Sequence, residues 1–228
     1  GLFGYNCYNL IMGIKKKRVY FETFHFGLFP LTIIFVLFSF LGFLFEGLWS
    51  VISYGHWDNH SALVWGPFTI IYGFAVVGLI LLYPVLSKRN IFVQFLICFL
   101  LGSVFEFAMS CLQEYVFKTY SWDYSHLPFN LQGRICLRMS LVWGLAGMVF
   151  LRLFAEKIIE VLKFLNSRTM INVGFVLFVF MVLNFSVSIM ATCRYSERYY
   201  GVAADSVLDE FIDARFPDER MRRIYYNM

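Results

Sequence analysis

The run from Leu28 to Ile52 carries one charged side chain, Glu46, and four further stretches are comparably apolar: Val64 to Leu86, Ile91 to Phe117, Ile135 to Phe154 and Met170 to Ala191. In hydrocarbon every backbone N–H and C=O must find its partner within the protein. Apolar runs of about 20 residues with no two-residue alternation satisfy that condition as helices. Composition agrees, because 60% hydrophobic and 15% charged residues leave too little polar surface to wrap a soluble core of 228 residues. The expected fold is an all-α integral membrane protein with five transmembrane helices.

The basic residues fall between these runs. Lys15-Lys16-Lys17-Arg18 precedes the first, Lys88-Arg89 separates the second and third, and Arg152, Lys157, Lys163 and Arg168 lie around the fourth-to-fifth connection. All three groups share one side by parity, which places the N-terminus in the cytoplasm of a multi-pass cell-membrane protein. The Lys/Arg run follows the first apolar residues instead of preceding them, so no secretory signal is expected. The division is then a cytoplasmic N-terminal segment (1–27), a transmembrane core (28–155), a cytoplasmic interfacial helix (156–169), the fifth span (170–191) and a polar tail (192–228). In the interfacial segment Ile158, Ile159, Leu162 and Leu165 share one side, which suits the membrane surface or a soluble partner. In the tail, Asp205, Asp209 and Asp213 recur every four residues beside Leu208, Phe211 and Ile212, predicting a short helix with a solvated acidic face closed by Pro217.

Two glutamates interrupt the apolar runs, Glu46 in GFLFEGLWS and Glu106 in GSVFEFAMS. A carboxylate at the centre of a spanning helix costs about 2.5–3.5 kcal/mol, so each requires a partner or a function. Their surroundings match: Gly42, Phe45, Glu46 and Ser50 align with Gly102, Phe105, Glu106 and Ser110, and a Trp-Asp pair follows each, Trp57-Asp58 and Trp122-Asp123. The first four helices therefore read as two tandem two-helix repeats. The second copy is richer in polar groups, with Asp123, Asn130, Arg134 and Arg138 near the membrane boundary. One or both arginines are within reach of a buried carboxylate, which predicts a shared pocket of Glu46, Glu106 and Arg134. A buried ion pair that only fixes helix register is the competing reading.

Other patterns carry less. His56, Asp58 and His60 lie in a loop-like segment, and the five scattered cysteines lack paired spacing, so no metal or disulfide framework is expected. The Gly66-Pro67 pair suits the start of the second helix. Asn59-His60-Ser61 and Asn184-Phe185-Ser186 have sequon form, the latter inside a span, and neither is given weight.

The ordered set FE, WGP with IYG, FE with QEY, then WDYS, FN, GRICL and LVWG resembles the bacterial membrane family named for ABC-transporter type IV, or CmpB-like. The resemblance covers roughly residues 35 to 150, and the tail segment FPDERM is also similar. It implies a transporter permease component whose recurrent residues are Glu46, Gly66, Pro67, Tyr72, Gly73, Glu106, Glu114, Trp122, Asp123, Tyr124, Asn130, Gly133, Arg134, Trp143 and Gly144. Of these, Glu46, Glu106, Arg134, Asp123, Asn130, Glu114, Tyr72 and Trp122 are the pocket candidates. The sequence has no GxxxxGK[ST] loop, so an ATP-driven role requires a separate ATPase subunit. The expected partners are the lipid bilayer, that ATPase and a small-molecule or lipid substrate, with no nucleic acid and no cofactor. Two alternatives stand beside transport: a membrane-embedded enzyme acting on a lipid or lipid-linked substrate, and a structural scaffold.

Overall fold

Six helices build the body of the protein: α1 (Leu28–Tyr54), α2 (Ile70–Leu86), α3 (Ile91–Phe117), α4 (Leu137–Leu153), α5 (Ala155–Leu165) and α6 (Arg168–Tyr199). Two short helices follow in the tail, α7 (Val207–Arg215) and α8 (Asp218–Ile224), and a two-stranded ribbon, β1 (Asn130–Leu131) and β2 (Ile135–Cys136), precedes α4. The computed structural model describes residues 26–118 and 120–225. The Lys15 to Arg18 cluster, Cys7 and nearly all of the expected N-terminal segment lie outside the described residues. The chain is an all-α membrane protein, in which α1, α3 and α6 are long and apolar enough to cross a bilayer. At 17 residues, α2 and α4 are shorter, about 25 Å at ~1.5 Å per residue, the low end of what a hydrocarbon core requires.

The helices pack as two neighbouring pairs, α1 with α2 and α3 with α4, and α6 runs along α1. Glycine sets how closely each pair approaches. The Tyr72 ring occupies the space a side chain at Gly42 would need, and the Trp143 ring does the same at Gly102. One residue further along, Gly73 lies against Phe35 and Ser39, while Gly144 lies against Phe95 and Phe99. Small residues that admit a neighbouring aromatic are how helices associate in lipid, where water supplies no hydrophobic drive.

The second helix starts later than the apolar run predicts, at Ile70 instead of Val64. Residues 55–69 instead form a folded loop, with Gly66 in the left-handed region at φ 86° and Ala62 N–H bonded to Phe68 C=O at 2.8 Å. Pro67 therefore sits in this loop and not at a helix start. What replaces the helical bonds is polar chemistry from α6. Asn184, fully buried, donates to Trp65 C=O (2.6 Å) and accepts from Trp65 N–H (3.2 Å), and Ser188 Oγ accepts from Val64 N–H at 2.9 Å. Non-helical backbone in a membrane protein persists where protein groups satisfy it, as Asn184 and Ser188 do here.

The amphipathic segment after α4 differs from its expected role. Ile159 and Leu162, 0% and 1% exposed, form one core with Ile34, Val76 and Ile80. Its apolar face closes one end of the bundle against α1 and α2, so Leu162 is not available to a soluble partner. The tail differs too. Of the acidic face only Asp205 stays exposed: Asp213 pairs with Arg194 (2.8 Å) and with Arg198, and Asp209 approaches Arg194 at 3.8 Å, while Asp218 beyond it pairs with Arg198 at 2.7 Å. Those arginines exist as a docking face because α6 continues past Ala191 to Tyr199, beyond the apolar run. Arg194 first of all, and Arg198 after it, hold the Asp213 carboxyl below the usual range. So anchored, the tail folds back and buries Phe216, Met221 and Tyr225 with Val64 and Ala191, while Asn59 donates to Arg223 C=O at 2.8 Å.

Replacing Asn184 with Leu should leave two Trp65 backbone groups without partners, each costing about 1–3 kcal/mol. Thermal unfolding in detergent is expected to show a clearly lowered midpoint for Asn184→Leu and little change for Asn59→Ala. An unchanged midpoint for Asn184→Leu would remove the role assigned to that contact.

Candidate functional site

In the first helix pair, Glu46 lies one turn beyond Gly42 on the same face of α1. The gap at Gly42 admits the Tyr72 ring, and the phenol then donates to Glu46 Oε1 at 2.5 Å. A further turn on, Ser50 Oγ donates to the Glu46 carbonyl (3.1 Å) and meets His60 Nε2 at 2.8 Å.

The second pair repeats the arrangement with different chemistry. Glu106, 3% exposed, accepts from Trp143 Nε1 at 3.0 Å on one carboxyl oxygen and from the Tyr124 phenol at 3.0 Å on the other. Hydrogen bonds to a charged group contribute about 1.5–3 kcal/mol each. Two of them offset the ~2.5–3.5 kcal/mol that burial of a carboxylate in a span costs. The two sites adjoin through the Tyr72 and Trp143 rings, whose centroids are 6.5 Å apart. Burial above all, then the charge and hydrogen bond of Glu106, and last the charge of Glu46, hold the Tyr124 phenol above its usual range. Both carboxylates thus act on one phenol in the loop.

Arg134 is placed by the ribbon. Leu131 pairs with Ile135 and Asn130 with Cys136, and the Asn130 side chain braces the turn, donating to Leu127 C=O (2.8 Å) and accepting from Gly133 N–H (3.0 Å). The Trp122 indole N–H donates to Arg134 C=O at 2.9 Å. The guanidinium then reaches Ser110 Oγ at 3.2 Å and pairs with Glu114, whose other oxygen accepts from the Tyr120 phenol at 2.6 Å. Ser110 and Glu114 continue the face of α3 that carries Glu106. A cavity of about 360 Å³ opens here, lined by Tyr120, Trp122, Asp123 and Arg134 among others. The backbone N–H of Ser125 (2.8 Å) and then its hydroxyl (2.9 Å) hold the Asp123 carboxyl below the usual carboxylate range.

The expected pocket of Glu46, Glu106 and Arg134 is thereby divided. Tyr72 belongs with Glu46. Glu106 takes Tyr124 and Trp143. Arg134 joins Glu114, with Trp122, Asp123 and Asn130 forming and bracing the loop around it. The reason is that the buried glutamates already have neutral donors, while Glu114, two turns nearer the ribbon, is the carboxylate within reach of the guanidinium. Among the described residues no group of three or more His, Cys, Asp or Glu is placed to hold a metal ion.

Residues 33–189 match the family model described as "Putative ABC-transporter type IV". The chain belongs to this family. The matched region takes in α1 from residue 33, α2 to α5, the ribbon and α6 as far as residue 189, and so includes Glu46, Tyr72, Glu106, Arg134, Trp143 and Asn184, while α7 and α8 lie beyond it. Comparisons with curated proteins and with solved structures gave no match.

Two partners of the buried charges escaped the list of pocket candidates, Trp143 and Tyr124. A signal for Trp143 was present, since Tyr72-Gly73 and Trp143-Gly144 are both an aromatic followed by glycine in the returning helix of each copy. Asn184 was equally visible as an amide within an apolar run, by the same reasoning that exposed the glutamates.

A double-mutant cycle separates the two arrangements. Arg134→Ala and Glu114→Gln should be strongly non-additive in unfolding midpoint, whereas Arg134→Ala and Glu46→Gln should be additive. Coupling of Arg134 to Glu46 and not to Glu114 would restore the shared pocket.

Proposed function

We propose that the chain is the membrane-embedded component of a transporter, with its polar centre where the two helix pairs meet. The observation that carries this reading is the continuous set Glu46–Tyr72 and Trp143–Glu106–Tyr124, two carboxylates bound by neutral donors across both pairs. It lies beneath a cavity whose wall holds Arg134 and Asp123. Structural ion pairs that only set register would match each carboxylate with a cation, and among the described residues neither glutamate forms one. Membership of the transporter family supports the same direction.

Orientation in this reading follows the charges. Lys88 and Arg89 in the α2–α3 turn share an end of the bundle with Lys157, Lys163 and Arg168, which makes that end cytoplasmic. The Trp-Asp loops, the cavity and the docked tail then face outward. The two helix pairs act as tandem copies, and substrate passes between them.

With no phosphate-binding loop in its own sequence, the protein would take its energy from a separate ATPase. That subunit would meet the basic end, where Phe164 of α5 is 70% exposed on the side opposite Leu162. Affinity purification of the full chain from its native membranes in a mild detergent should recover a P-loop ATPase in stoichiometric amount. Glu106→Gln should keep that complex and lower its ATP hydrolysis at least fivefold. A purified chain with no ATP-hydrolysing partner under these conditions would overturn the ATP-driven reading.

A further inference from the structure

The two loops differ in length and in what their tryptophan meets on the preceding helix. On α1, Gly47 leaves a hollow that the Trp57 indole fills. At the matching place on α3 stands Phe107, whose ring lies 5.8 Å from the Arg134 guanidinium carbon. Phe107 leaves no such hollow for Trp122, which stays at the rim, bonded to Arg134 C=O, and lines the open cavity. The first loop is closed a second time by the tail, since Met221 and Tyr225 pack on Val64 and the Tyr225 phenol donates to Ala62 C=O at 3.3 Å.

The charges around the cavity decide what it can hold. Arg134 would attract an anion if its charge were free, but Glu114 already pairs with it. Asp123 is compensated differently: both its oxygens accept from Ser125, through neutral donors, and no lysine or arginine among the described residues forms an ion pair with it. Within the wall, Arg134 is taken up by Glu114, which leaves Asp123 as the lining charge without an ion-pair partner among the described residues. Beside Asp123 the wall is aromatic, from Tyr120 and Trp122. A carboxylate next to aromatic rings is the arrangement that holds organic ammonium groups, by charge and by attraction to the ring faces. At about 360 Å³ the space suits a small molecule.

We propose that this cavity binds a small organic cation carrying a substituted ammonium group, seated against Asp123 between Tyr120 and Trp122. The assignment rests on the transport reading only in naming this cation as the substrate class; binding itself requires neither an ATPase nor movement across the membrane. The same ammonium chemistry occurs in free amines and in lipid headgroups.

The test is calorimetric titration of the full chain in a nonionic sugar detergent. Because His126 also acts on the Asp123 charge, it is run at about pH 8, above the ordinary imidazole range. Choline chloride, monomeric dihexanoylphosphatidylcholine and sodium phosphate are the probes. Choline should bind saturably, and Asp123→Asn and Tyr120→Leu should each weaken it at least tenfold with the unfolding midpoint kept. If Asp123→Asn lowers that midpoint, Tyr120→Leu, at an exposed ring, carries the test alone. Tighter binding of the phosphatidylcholine than of choline, lost in the same variants, assigns the site to a lipid headgroup. Binding of phosphate without choline, binding of neither cation, or choline binding indifferent to both substitutions overturns the proposal. An intact ATPase complex without choline binding removes this site alone, and choline binding without any ATPase removes only the ATP-driven reading.

Discussion

Glu46, half-buried, and Glu106, buried, are each held by an aromatic side chain that crosses from the partner helix through a gap left by glycine. That contact joins packing to charge. Without Gly42 the Tyr72 ring could not approach α1, and without Gly102 the Trp143 ring could not approach α3. Only at that distance do the phenol and the indole reach Glu46 and Glu106. The close helix pairs and the solvation of their carboxylates are therefore one feature, and the cavity, ribbon and loops are arranged above it. The hydrogen bonds named for the two carboxyl groups come from neutral donors, Tyr72, Tyr124 and Trp143.

The same accounting explains the parts that are not regular helix. In the first loop Asn184 and Ser188 replace missing helical bonds, and the tail covers what remains through arginines at the end of α6. The second loop is braced internally by Asn130 and by Trp122, and leaves open the space that the tail fills on the other side. Two units alike in their helices thus differ in their loops, one sealed and one accessible. Gly47 admits the Trp57 ring in the first unit, whereas Phe107 stands at the matching place in the second, whose loop is longer and carries the ribbon.

The spans, the importance of Glu46 and Glu106 and the prominence of Arg134 were legible because apolar length and misplaced charge are local properties. Trp122 and Asp123 stood out through the repeated Trp-Asp pair and Asn130 through the polar second loop, whereas Tyr72 and Glu114 entered only through the resemblance to the family. Pairing was not legible, because it depends on rotation about helix axes and on backbone paths through loops. Sequence distance alone could not tell whether Arg134 reaches Glu106 or stops at Glu114. The start of α2 was misjudged since Val64 and Trp65 are as apolar as the helix that follows, and only a distant amide at Asn184 keeps them unwound. In the α5 and tail segments the amphipathic pattern was real, but periodicity does not say which face the rest of the protein claims. The bundle took the apolar side of α5, and α6 took the acidic side of α7.

The central claim is that the Trp143 indole is bonded to Glu106 and to no other carboxylate. Indole ¹⁵N–¹H spectra of the full chain in detergent test it, with the Trp143 resonance assigned by its loss in Trp143→Phe. The account predicts that this resonance moves to higher field, as a weakened hydrogen bond requires, in Glu106→Leu, and stays in place in Glu46→Leu. A Trp143 resonance unchanged by Glu106→Leu, or displaced equally by both substitutions, would contradict it.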